Sequence, residues 1–160
     1  MKEVIDVQTG EVEVGKGKVQ LRSTAIGSCL VVAASDFSSR TGALAHIMLP
    51  GRAPGSDEKK TKYAYDAIKA LLKGLLETGA QRENIQFCMV GAGNVLKKAD
   101  DTICSDNIDS ITEILREEGF SVKAAVLGGV ERKGIVLDIQ NGEVFYTEGD
   151  SEKKLLCKCS

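Results

Sequence analysis

The stretch Ser23–Pro50, STAIGSCLVVAASDFSSRTGALAHIMLP, holds Cys29 and the only histidine of the chain, His46. It reads as two extended apolar runs, Ile26 to Ala34 and Ala43 to Leu49, joined by the polar, glycine-containing connection Ser35 to Gly42. That is the pattern of a β-hairpin. A turn centred between Phe37 and Ser38 sets Ser35 against Arg40, Ala33 against Gly42 and Cys29 against His46. Side chains directly opposed in an antiparallel pair share one sheet face, with Cβ atoms about 4.5–5.5 Å apart. The expectation is a thiol within hydrogen-bond reach of an imidazole, and a slip of one residue would part them.

Outside this hairpin the chain is ordinary in composition, and that excludes several kinds of function. Its 160 residues suffice for one domain over 1–160 with a core of its own. Acidic and basic residues are interspersed, with a net charge of −2. There is no electrostatic footprint for nucleic acid and no basic amphipathic helix for a membrane surface. The start, MKEVIDVQTGEVEVG, lacks the apolar core of a signal peptide, and no run approaches the roughly 18 apolar residues of a membrane span. A cytoplasmic protein without membrane insertion is expected, its five cysteines kept as thiols and not as a disulfide framework.

Along the chain, valine and isoleucine alternate with charge from Glu3 to Leu21, which predicts short strands and tight turns. Gly51 to Thr61, with both prolines, is an exposed loop directly after the His46 strand and the expected rim of any pocket there. From Lys62 to Thr78 apolar residues recur at spacings of three and four, an amphipathic helix that ends at Gly79. Asn84 to Gly91 reads as a buried strand followed by the turn Gly91-Ala92-Gly93-Asn94. A second helix capped by Ser105 or Asp106 buries Ile108, Ile111, Ile114 and Leu115 and stops at Gly119. Ser121 to Val126 is a further strand, and Asn141-Gly142 marks a hairpin within Ile135 to Thr147. About 151–160 is a polar tail expected to be mobile. Strands predominate without a regular βαβ alternation, so the class is α+β: layered β-sheets with two main helices packed outside.

Chemistry concentrates at Cys29. A cysteine in an apolar strand is by itself ordinary core filling, but Gly27-Ser28 breaks the strand just before it. Such a break suits a close backbone approach to a ligand. Free N–H groups there, at Gly27, Ser28 and Cys29, are what an oxyanion hole requires. His46 is the one base available to this thiol. Cys88 lies mid-strand as filling, Cys104 precedes a helix with no base beside it, and Cys157 and Cys159 form a C-x-C pair too small for a metal site. No cofactor or metal is expected.

Ser23-Thr24-Ala25-Ile26-Gly27-Ser28-Cys29, followed seventeen residues after the cysteine by Ala45-His46-Ile47-Met48-Leu49-Pro50, resembles the CheD family of chemoreceptor glutamine deamidases. The family pattern is T-x-x-L-G-S-C and then A-H-x-M-L-P. The likeness extends to Lys62-Tyr63-Ala64 and, more faintly, to Asn107, Gly128-Gly129 with Arg132-Lys133, and the Asn141-Gly142 hairpin. It implies a cysteine-dependent hydrolase that converts receptor glutamines to glutamates, with a fold similar to the catalytic domain of cytotoxic necrotizing factor toxins. Cys29 is then the nucleophile and His46 the base. The family's threonine six residues before the cysteine falls on Ser23, with Thr24 the neighbouring alternative. The implied partners are the cytoplasmic helices of a chemoreceptor (a methyl-accepting chemotaxis protein) and a CheC-type phosphatase, and an adaptor acting through that phosphatase is the alternative function. A thiol redox sensor is a third.

Overall fold

A computed structural model describes residues 2–55, 59–97 and 102–159. The alternating start folds as β1 (Glu3–Asp6) and β2 (Val12–Lys16), followed by β3 (Val19–Ile26), β4 (Leu30–Asp36) and β5 (Thr41–Ile47). Then come α1 (Ala64–Glu77), β6 (Gln86–Gly91), α2 (Ile103–Glu117), β7 (Val122–Leu127), β8 (Lys133–Asp138), β9 (Glu143–Glu148) and β10 (Lys154–Lys158). Two mixed five-stranded sheets result, one ordered β1-β3-β8-β9-β10 and the other β2-β5-β4-β6-β7. The fold is α+β.

Side-chain alternation sorts the core into two layers. From β4 and β5, Leu30, Val32, Ala34, Ala43, Ala45 and Ile47 pack against the helices. Their neighbours Val31, Ala33 and Leu44 face the other sheet, among Leu21, Ile135 and Leu137. Both strands are buried along their whole length, as strands covered on two faces must be. His46 shares the parity of Leu44 and so projects between the sheets, where an imidazole must find a polar partner.

The helix stripe Ala64, Ala67, Ile68, Leu71, Leu72 and Leu75 is buried as its spacing predicts. α2 begins at Ile103, ahead of the expected cap, because Cys104 and Asn107 extend the buried stripe of Ile111, Ile114 and Leu115 by a turn. Cys104 is therefore inside the helix and buried. Ile108 is only partly buried against that core.

The hairpin register differs from expectation. Val31, and not Cys29, lies opposite His46, and Asp36 pairs with Thr41. Four residues form the connection because Asp36 Oδ1 accepts Ser38 N–H at 3.0 Å and Ser38 Oγ–H at 2.6 Å, while Arg40 takes the left-handed conformation at φ 53°. Side-chain bonding of this kind favours the longer turn. The change of two residues preserves the face, so Cys29 stays on the inter-sheet side, against that core.

The polar tail is a second correction. Lys154–Lys158 pairs antiparallel with β9, and Cys157 and Cys159 are buried. The sulfurs of Cys88 on β6 and Cys157 on β10 are brought together, where separate thiols were expected. Pairing of the tail as an edge strand turns Cys157 inward onto β6, a contact that sequence spacing does not reveal.

Asp36 is fully buried, and its Oδ2 also accepts Gln81 N–H at 2.9 Å. Asp36→Ala leaves that donor unsatisfied and releases the turn, so urea unfolding is expected to show a loss of about 2–3 kcal/mol.

Candidate functional site

The site begins at a bulge in β3. Its register against β8 shifts between Ser23 and Ile26, and Ala25 within the shift has φ 56°. Ser23 faces inward and is buried, whereas Thr24 faces out and is exposed. Ser23 Oγ lies 2.8 Å from His46 Nδ1 and 2.8 Å from the carbonyl oxygen of Val7, just past β1. The carbonyl can only accept, so the hydroxyl proton is committed to Val7 and the oxygen accepts from Nδ1–H. A neutral ring in that tautomer carries its lone pair on Nε2, the form of a general base. Ser23, and not Thr24, is the hydroxyl that holds the imidazole.

Electrostatics keep the ring neutral. His46 is 5% exposed, and burial pulls its pKa below the ordinary imidazole value, while the Val7 carbonyl acts in the opposite direction. Its backbone is fixed as well, with His46 N–H bonded to Glu11 O at 3.0 Å and Gly10 N–H bonded to His46 O at 2.8 Å.

Cys29 is half-buried, one residue before β4, and burial pushes its thiol above the usual range. The turn after β6 holds it from behind. Ala92 N–H bonds Cys29 O at 2.8 Å and Gly93 N–H bonds Gly27 O at 3.0 Å. Gly91 is needed here, because at φ 138° a Cβ would strike the Cys29 carbonyl. With those carbonyls engaged, neither Ser28 nor Cys29 donates its own N–H to a backbone carbonyl among the described residues. An arrangement with two such donors beside a thiol can hold an oxyanion.

The structure thus brings Ser23 and His46 together and places Cys29 diagonally from His46, beyond its opposite neighbour Val31. No hydrogen bond joins sulfur to imidazole. Diagonal neighbours lie about 7–8 Å apart and somewhat less at Cβ, and catalytic contacts of unliganded enzymes often close only on substrate. Two hollows of about 200 Å³ flank the pair. One exposes His46 beside Val7, Gln8, Thr9 and Ala25. The other opens on Gly27 and Ser28 beside Val95, Leu96, Ile103 and Arg132. Neither is lined by the described residues of the 51–61 loop, so the expected rim is replaced by the β1–β2 connection, whose Thr9 and Gly10 carbonyls bind Lys59 and Thr61. The Val7 carbonyl and the 91–93 support were not recognised from sequence. Only the glycine pair Gly91 and Gly93 hinted at the second. Among the described residues no three histidine, cysteine or acidic side chains converge as metal ligands.

Two mixed sheets with helices on one of them, and a serine–histidine pair buried between the sheets beside a half-buried thiol, define the class of protein. Residues 48–148 match the family described as "CheD chemotactic sensory transduction". A "Probable chemoreceptor glutamine deamidase CheD" from Chlorobium luteolum is 37% identical over 150 residues, 92% of this chain and 74% of that protein. The "Chemoreceptor glutamine deamidase CheD" of Thermotoga maritima is 29% identical over 158 residues, 99% of each. A relative in Methanococcus vannielii, again named "Probable chemoreceptor glutamine deamidase CheD", is 30% identical over 154 residues, 95% of this chain and 99% of that one. The chain belongs to the CheD family.

Two outcomes test the site geometry. Because the folded ring resists protonation, the unfolded chain binds the extra proton below about pH 6.5, and stability falls with pH by at most about 1.4 kcal/mol per unit. Thermal unfolding between pH 7 and 5 is expected to show that slope in the parent protein and to lose it in His46→Gln, the chain having no second histidine. Gly91→Ala is expected to cost about 1–3 kcal/mol through backbone strain, as measured by denaturant unfolding.

Proposed function

We propose that this CheD-family protein hydrolyses the side-chain amide of chemoreceptor glutamines to glutamate and ammonia, with Cys29 as nucleophile, His46 as general base and Ser23 as its positioning residue. One observation carries the reading: the hydroxyl committed to Val7 leaves His46 with Nδ1 protonated and Nε2 free. Thiol and imidazole are both neutral at rest, one raised and the other lowered by burial. The proton therefore moves as the sulfur attacks, and a standing thiolate is not required.

Substrate entering beside Ser28 brings its amide carbon to the sulfur. Nε2 takes the thiol proton, the S–C bond forms, and the oxyanion is held by the N–H groups of Ser28 and Cys29. The imidazolium returns that proton to the amide nitrogen, the C–N bond breaks and ammonia leaves a thioester. Water, deprotonated by Nε2, then cleaves the thioester to the glutamate carboxylate and restores the thiol. The receptor helix gains a negative charge, which alters repulsion between neighbouring carboxylates. No helix among the described residues is long and apolar enough to cross a membrane. The reaction belongs to the cytoplasm, where receptor signalling helices lie, and the CheC-type phosphatase is the protein partner that accompanies it.

Receptor cytoplasmic fragments incubated with the protein are expected to show glutamine-to-glutamate conversion by mass spectrometry, abolished in Cys29→Ala. Conversion that survives that substitution would end the proposal. His46→Gln is expected to lower kcat by about 10²–10⁴, and Ser23→Ala by about tenfold, the worth of one orienting hydrogen bond. The acid limb of kcat/KM is expected below about pH 6.5, since burial delays protonation of the base.

A further inference from the structure

The hollow on the far side of the nucleophile loop is built from three segments locked by backbone hydrogen bonds. Gly93 N–H binds Gly27 O at 3.0 Å, Asn94 N–H binds Gly129 O at 2.8 Å, and Gly128 N–H binds Gly91 O at 3.0 Å. Lys133 completes the lock from inside. Its side chain is wholly buried, and its ammonium donates to the carbonyls of Gly128 and Glu131 with Glu148 Oε2 at 3.9 Å. The residue before it, Arg132, is left outside on a rigid base.

Its guanidinium stands over the nucleophile loop. A Cβ built on Gly27 would lie 3.5 Å from Arg132 Nη1, so any side chain at that position would touch the cation. Among the described residues the Arg132 side chain makes no ion pair and no hydrogen bond. What separates it from a solvated surface arginine is its setting: it lines a hollow of about 200 Å³ together with Ser28, Asn94 and the apolar side chains of Val95, Leu96 and Ile103. Of these, Leu96 is 73% and Ile103 49% exposed.

We propose that Arg132 is a specificity-determining residue: it binds a carboxylate that lies one helical turn from the target glutamine, while Leu96 and Ile103 take the apolar face of the same substrate helix. The assignment rests on the reading of Cys29 as nucleophile. On a helix, residues three or four apart share a face, so a substrate that presents glutamine to Cys29 presents its turn neighbour to the hollow beside Ser28. An unpaired guanidinium is matched there by an acidic residue and opposed by a basic one.

The test uses the full-length protein and helical peptides cut from a receptor cytoplasmic fragment, each with one glutamine and with Glu, Ala or Lys one turn before or after it. The intact fragment and Cys29→Ala serve as controls, and ammonia release gives kcat/KM. The expected order is Glu above Ala above Lys on one side of the target, with about five- to tenfold between the extremes. Arg132→Glu is expected to reverse that order, and raised salt to flatten it. The same order in the parent and in Arg132→Glu would overturn the subsite, while Cys29-dependent turnover would leave the deamidase reading standing. Absence of Cys29-dependent turnover on the intact fragment would remove both.

Discussion

A hydrogen bond between two sheets governs this molecule. Ser23 on one sheet accepts from His46 on the other, and it can do so only because its own proton is spent on Val7. Three separate segments must be in register for that to occur: the residue just past β1, the bulge of β3 and the last residues of β5. A buried imidazole without such a partner would forfeit its hydration for nothing. The relative stagger of the sheets is therefore tied to the protonation pattern of one ring. Fold and chemistry share a constraint here, since a sheet displaced by one residue would lose both the contact and the tautomer.

Cys29 depends on a second, looser arrangement. It lies outside the ladder, on a loop whose carbonyls are held by the 91–93 turn and whose amides are not. Backbone polarity is thus divided, with acceptors satisfied by the protein and the Ser28 and Cys29 donors unmatched by a backbone carbonyl among the described residues. A glycine at Gly91 permits the approach that makes the division possible.

Much of this was legible in the sequence. The apolar hairpin, the α1 stripe and the glycine break before Cys29 are local signals, and local signals survive without the rest of the fold. Register was not legible, because it turned on Asp36, whose carboxylate bonds both its own turn and the distant Gln81. Nor could sequence choose between Ser23 and Thr24. Adjacent strand residues point to opposite faces, and only the position of the β3 bulge decides which one looks inward. The tail read as mobile because its outward residues are lysines. Of its two inward cysteines, Cys157 finds its partner on a strand 69 residues away, a distance no window of sequence spans. Family membership was carried by short motifs, and the matched region begins at residue 48, inside the one that holds His46.

The complete burial of β4 and β5 has a dynamic corollary. Amides in such strands exchange with solvent only when the whole molecule opens, while surface loops exchange through small local openings. The step from one regime to the other falls between Leu30, fully buried, and Ser28, exposed. Cys29 occupies that step. Its backbone inherits direction from the slowest-exchanging part of the chain, and its thiol borders the fastest, so aim and access are supplied by neighbours on opposite sides of a single residue.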